Sequence, residues 1–216
     1  MSWTDNFGFK LQLIACICAM LFFQFKENPI YAKSDINVIT HSTVVEQHLS
    51  NYKSLIGSDY DGYRNHIYRV MTYSIHFLHN DKTNMDVIAT ALVYHDIGLW
   101  TAKTLAYLEP GVELARKECE QIYSSDELDL QDAIIMNHHK LWPVQNSTIV
   151  EAVRKADWID ASNGIFNKGM PRKYIHKVKE TLPAAGFYNT LIDIGPRIHG
   201  NDFIKILSEI ITIFKW

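Results

Sequence analysis

The chain has 216 residues, 47% of them apolar, with 21 basic and 24 acidic side chains and a formal net charge of -3. That length suffices for one domain with a sizeable core, and the charge balance gives no bulk attraction for nucleic acid, so no nucleic-acid partner is expected. Three cysteines, Cys16, Cys18 and Cys119, cannot all pair within the chain, which excludes a disulfide framework as the source of stability.

Residues 11–25 form an almost uninterrupted apolar run, broken by Gln12 and Gln24 and flanked by Lys10 and Lys26. As a helix such a run reaches about 22 Å, short of the roughly 30 Å hydrocarbon core of a bilayer. Membrane association through residues 11–25, a cleaved signal peptide and a helix packed on the domain all fit it. Against the signal stand Asp5 in the amino-terminal part and the poor cleavage site Ile30-Tyr31-Ala32. Localisation is accordingly open between membrane-associated or exported and cytoplasmic. Pro29 and Lys33-Ser34-Asp35 read as a linker, dividing the chain into an apolar segment with linker, 1–34, and a domain with carboxy-terminal helices, 35–216.

From Asn37 onward the apolar spacing is helical, with no long alternating strand, and the expected fold class is all-α. Val38, Val44, Val45, Leu49, Tyr52 and Leu55 lie largely at three- and four-residue steps, predicting a helix that ends near Gly57, with a turn over 59–62. The spacing predicts a second helix over 63–78, with Ile67, Val70, Met71, Ser74 and Leu78 on one stripe and His66 beside it; His79-Asn80-Asp81 stops it. A shorter helix over 86–95 is apolar nearly all round, which places it at the centre of the domain, and Gly98 ends it. Glu109-Pro110 opens a helix to about Tyr123, Ser124 or Ser125 caps another over 127–139, and Thr148 begins one that runs through Asp157 and Asp160 to Gly164. Beyond Pro171, helical patterns alternate with breakers at Gly186, Gly195-Pro196 and Gly200.

His66, His95, Asp96 and Asp157 each fall on a predicted helix or at its end beside apolar residues, which is where a buried cation site draws its ligands. Imidazole and carboxylate together suit Zn, Mn, Fe, Co or Ni without choosing among them. His138 and His139 are adjacent, and neighbours on a helix diverge by about 100°. One of the two is therefore expected to point at the cation while the other faces a substrate or a neighbouring helix.

The order His66, then His95-Asp96, then Asp157, within the phrases YRNHIYRV, ALVYHDIGLW, IIMNHHKLW and VRKADWIDAS, resembles the HD-domain metal-dependent phosphohydrolase superfamily over roughly residues 37–170. The resemblance implies a helical bundle around a buried metal site with His66, His95, Asp96 and Asp157 as ligands. It also implies hydrolysis of a small phosphorylated substrate, a phosphate monoester or nucleotide, with metal-activated water as the nucleophile and Asp96 in the catalytic machinery. Members with several metals carry further histidines between the His-Asp dipeptide and the last aspartate. Here none occurs from Ile97 to Asn137, and the Gly-Tyr-Pro triplet of the HD-GYP group is absent. One divalent metal ion is therefore expected, with His138 and His139 as outer or substrate contacts. The acidic residue that some members place just after His-Asp is replaced by Gly98-Leu99-Trp100, so that turn supplies no general acid. Lys140 and Arg69 are the candidates to neutralise a phosphate oxygen. Two other readings remain: a hydratase or lyase similar to cyanamide hydratase, and a metal-binding regulatory protein without turnover.

Overall fold

A computed structural model describes residues 26–214, so the reading of residues 11–25 lies outside the described part. Among the described residues every regular element is helical and there is no strand, as the apolar spacing requires. No helix among them is long and apolar enough to cross a membrane.

After a 3-10 turn, Pro29–Ala32, come α1 (Thr43–Ser50), capped by the Ser42 hydroxyl on the Val45 amide, and the short α2 (Lys53–Ile56). A 3-10 turn, Gly57–Asp59, leads into α3 (Tyr60–Phe77), which is buried along almost its whole length and forms the axis of the bundle. Then follow α4 (Met85–Tyr94), the single-turn α5 (Gly98–Thr101) and α6 (Leu108–Cys119). The next helix, α7 (Ser125–Asn137), starts at a capping box in which the Ser124 hydroxyl accepts from the Glu127 amide while the Glu127 carboxylate accepts from the Ser124 amide. Ser147 caps α8 (Thr148–Ala161), and α9 (Arg172–Thr181), α10 (Phe187–His199) and α11 (Phe203–Ile213) complete the chain. The main packing is α3 against α8, α4 against α7 and α1, and α6 against α7. Three of these helices or their ends meet around α3, which is how residues far apart in sequence converge on one point.

Glycine roles differ from the sequence reading in three places. The expected turn over 59–62 is helical instead, because Gly62 lies inside α3, where a Cβ would stand 2.8 Å from the Ala185 carbonyl oxygen and 2.9 Å from the Phe187 amide nitrogen. Here the glycine serves close approach to the start of α10. Gly98 does not end a helix but opens α5, and a Cβ there would meet the Tyr107 carbonyl oxygen at 2.7 Å. Gly195-Pro196 does not break α10 either. The proline removes the amide that would bond the Ile192 carbonyl, and Ile192 is exposed, so water can serve that carbonyl. The stop after α3 is as expected: His79 and Asn80 take left-handed φ of 55° and 66°. The first predicted helix is in fact divided at Asn51-Tyr52 into α1 and α2.

Candidate metal centre

Four elements each bring one group or pair of groups to the centre. The buried face of α3 presents His66, the C-terminal end of α4 presents His95 and Asp96, the chain just past α7 presents His138 and His139, and α8 presents Asp157 with Asp160 one turn later. His66, His95, Asp96, His138, Asp157 and Asp160 are all buried.

The inner distances are short. His66 Nε2 lies 3.0 Å from His95 Nε2, 3.4 Å from Asp157 Oδ1 and 3.6 Å from Asp96 Oδ2. His95 Nε2 is 3.3 Å from Asp96 Oδ2 and 3.8 Å from Asp157 Oδ1. On the other side, His138 Nε2 is 3.4 Å from Asp96 Oδ1 and His139 Nδ1 is 3.9 Å from Asp157 Oδ2. Each carboxylate thus turns one oxygen to the pair His66 and His95, while the other oxygen of Asp96 faces His138 and that of Asp157 faces His139. Three overlapping triads have ligand atoms close enough to hold an ion: His66, His95, Asp157; His95, Asp96, His138; and His138, His139, Asp157.

Outer hydrogen bonds set which ring nitrogen is available. His95 Nδ1 sits 2.6 Å from the Leu92 carbonyl and His138 Nδ1 2.7 Å from the Ile135 carbonyl. A carbonyl only accepts, so in both rings Nδ1 carries a proton, and Nε2 is the nitrogen that becomes a bare acceptor when the ring is neutral. His66 Nδ1 donates in the same way to Asp160 Oδ2 at 2.7 Å. With the rings neutral, three imidazole lone pairs therefore converge on the two carboxylates, and two of them face each other at 3.0 Å. Such an arrangement is repulsive unless a positive charge stands among them. His138 Nε2 and Asp96 Oδ1 are, moreover, buried with no hydrogen-bond partner, and such groups call for an explanation.

The charge count points the same way. Arg69 Nε and Nη2 donate to Asp160 at 2.6 and 2.8 Å, so that carboxylate is neutralised in place. Asp96 and Asp157 have no lysine or arginine within ion-pair distance among the described residues, only histidines. Two buried carboxylates with no permanent cation beside them are costly, and their formal charge equals that of one divalent cation. The residues present fit such an ion. The fields are visible in the titration behaviour. Burial opposes the charged form of Asp96, but His95, His138 and His66 outweigh it and hold the carboxyl well below the usual carboxylate range. Asp157 is lowered against its burial by the same group of rings, His95 foremost. For His95, burial disfavours the cation, yet Asp96 and Asp157 push it up to about 9. His139 goes the other way, to about 3, through burial and the neighbouring His138.

The structure brings His66, His95, Asp96, Asp157, His138 and His139 together. The expectation that only one of the two adjacent histidines reaches the centre is corrected. Both lie just beyond α7 with ring centroids 4.0 Å apart, and each reaches a different carboxylate, His138 that of Asp96 and His139 that of Asp157. Arg69 is corrected as well: it is fully buried, its guanidinium is spent on Asp160 and on the Leu182 and Pro183 carbonyls, and it does not face outward to a phosphate. Its role is to hold Asp160, which in turn holds His66. Lys140 is half-buried immediately after His139, with its carbonyl accepting from Arg154.

Several neighbours were not singled out from the sequence. The Tyr107 hydroxyl lies 2.5 Å from His139 Nε2, and the Tyr63 hydroxyl donates to the Val93 carbonyl at 2.9 Å while stacking beside His66 and His95. Phe187 stacks on His66 with centroids 4.1 Å apart, and Phe214 packs beside His139. Nothing in the spacing of these aromatic residues distinguishes them from core. Only their tertiary neighbours do.

Residues 63–162 match the family model of the HD domain. No curated protein and no solved structure matches the chain.

Proposed function

We propose that this chain, which carries an HD domain over residues 63–162 and so belongs to a superfamily of metal-dependent hydrolases, hydrolyses a small phosphorylated substrate, a phosphate monoester or nucleotide. The observation that carries the reading is the pair of buried carboxylates with no lysine or arginine partner, surrounded by three imidazole rings that turn Nε2 towards them.

His66, His95, Asp96 and Asp157 would hold one divalent ion, with His138 and His139 on the far carboxylate oxygens. An ion there supplies Lewis acidity and lowers the pKa of water. The chain does the rest. Asp96 Oδ1, buried and unbonded, is placed to accept a hydrogen bond from the attacking water. His139 is neutral at pH 7 and held by Tyr107, so it can orient a substrate oxygen. Lys140 is the cation on the chain beside this pair and would neutralise a phosphate oxygen as charge develops. Tyr63, Phe187 and Trp100 exclude water from the inner side.

The test is metal analysis of the purified protein followed by a panel of phosphate monoesters and nucleotides assayed with several divalent metals. Turnover that requires metal and disappears in Asp96→Ala is expected. Bound metal with no phosphate release, together with hydration of cyanamide, would replace this reading by the hydratase one.

A further inference from the structure

One ion among His66, His95, Asp96 and Asp157 uses only half of what converges on the centre. It takes Asp96 Oδ2 and Asp157 Oδ1, the oxygens turned to His66 and His95. On the far side, His138 Nε2 stands 3.4 Å from Asp96 Oδ1 and His139 Nδ1 stands 3.9 Å from Asp157 Oδ2, and none of these four atoms belongs to the first set. His138 Nε2 and Asp96 Oδ1 have no hydrogen-bond partner, although their residues are only 1% and 4% exposed. Buried polar atoms without a partner are uncommon, and these two are aimed at the same space.

The far side is built as a ligand set. His138, His139 and Asp157 each offer one ligand atom, and these atoms lie within 4.8 Å of one another. Two ligands at about 2.1 Å from a common ion stand up to about 4.2 Å apart, and the 3.9 Å between His139 Nδ1 and Asp157 Oδ2 falls inside that span. Both rings are also held from behind. His138 Nδ1 donates to the Ile135 carbonyl at 2.7 Å, and His139 Nε2 lies 2.5 Å from the Tyr107 hydroxyl. Each imidazole thus gives its outer nitrogen to a protein group and turns the other inward, which is how a ligating histidine is oriented.

We propose that His138, His139 and Asp157 form a second cation site, so that the centre holds two divalent ions joined through the Asp157 carboxylate. Two imidazoles and one carboxylate suit a transition ion such as Zn, Fe or Mn better than Mg or Ca, which favour all-oxygen sets. Three protein ligands leave positions open on the ion, and Asp96 Oδ1 remains beside it as an acceptor for water. The His139 side chain is 17% exposed, whereas those of His66, His95, Asp96, His138 and Asp157 are 6% or less. The second ion is therefore the outer one, on the side from which a substrate arrives, and through it His139 acts on a substrate oxygen. Two divalent ions against the carboxylates of Asp96 and Asp157 leave an excess of positive charge, which a phosphate dianion offsets. The inference rests on the first ion of the phosphohydrolase reading. It also departs from the spacing of the sequence, where an adjacent histidine pair implied a single ion.

The full chain is stripped with chelator, reloaded with Zn or Mn, freed of excess metal by gel filtration and assayed for metal by mass spectrometry. The parent should hold two ions per chain, and His138→Ala and His139→Ala should each hold one. Loaded with Mn, the parent should give the spin-coupled electron paramagnetic resonance spectrum of a bridged pair, and either variant the spectrum of an isolated ion. The stoichiometry and spectrum of the parent require no substitution, so a variant that does not fold leaves the test standing. A parent that holds one ion, retained in both variants, would overturn the second site and leave the phosphohydrolase reading in place. Two ions that persist in both variants would overturn it as well. A parent that takes up no ion would remove the second site and the phosphohydrolase reading together.

Discussion

Replacing Asp160 by Asn tests how the centre is held. Asp160 accepts three charge-assisted or ring hydrogen bonds in the interior: His66 Nδ1 at 2.7 Å, Arg69 Nε at 2.6 Å and Arg69 Nη2 at 2.8 Å. An asparagine keeps one acceptor oxygen and puts an amide donor where the second oxygen was, so one donor must face another in either orientation. The best remaining arrangement turns His66 to its other tautomer, with Nδ1 accepting from the amide and Nε2 carrying the proton. Nε2 then points a hydrogen at His95 and cannot bind a metal. Arg69, 0% exposed, is left without its counterion. Removing one partner of a buried ion pair costs about 3–5 kcal/mol, and losing the group that orients a ligand lowers metal affinity by about 10- to 100-fold. Asp160→Asn should therefore show both effects: an unfolding free energy from urea titration lowered by that amount in chelator-treated protein, and weaker binding of the metal by isothermal calorimetry. A variant with parental metal affinity would refute the link from Arg69 through Asp160 to His66, even if it were less stable.

Three further outcomes are expected. In chelator-treated protein, His95 is held protonated to about 9 against its ordinary 6.5, so its contribution is fully present below about 6.5 and is lost as pH rises through about 9. Thermal melts should show stability falling across that window, and the fall should vanish when a divalent ion takes the place of the proton. Gly62→Ala drives a methyl group against the backbone at Ala185 and Phe187, and should cost about 1–3 kcal/mol in urea unfolding; a neutral result would show that α10 can move away freely. Lys140→Ala should lower kcat/KM for a phosphate ester by about 10- to 100-fold, the worth of a charge-assisted hydrogen bond, with metal content unchanged; an unaltered value would make Lys140 a solvated residue.

Much of this molecule was legible in the residues themselves. Apolar spacing determined that the chain is helical, because a helix facing a core must repeat near 3.6 residues, and it placed His66 beside the buried stripe of α3 and His95-Asp96 at the end of an all-apolar helix. The order of His66, His95-Asp96 and Asp157 pointed to the HD domain that the family model matches over residues 63–162. What one helix does to another was not legible. Gly62 reads as a turn residue until the backbone of Ala185 and Phe187 is seen against it. Arg69 reads as a cation available to a phosphate, since its partner Asp160 is on α8 and the two carbonyls it also serves follow α9. His138 and His139 read as a pair with one target, which only one ring could reach, whereas packing gives each its own carboxylate, Asp96 for His138 and Asp157 for His139. Local spacing specifies which face of an element is buried; which groups meet there depends on packing between elements far apart in the chain, and hydrogen bonds and ion pairs act only over the few ångströms that packing decides.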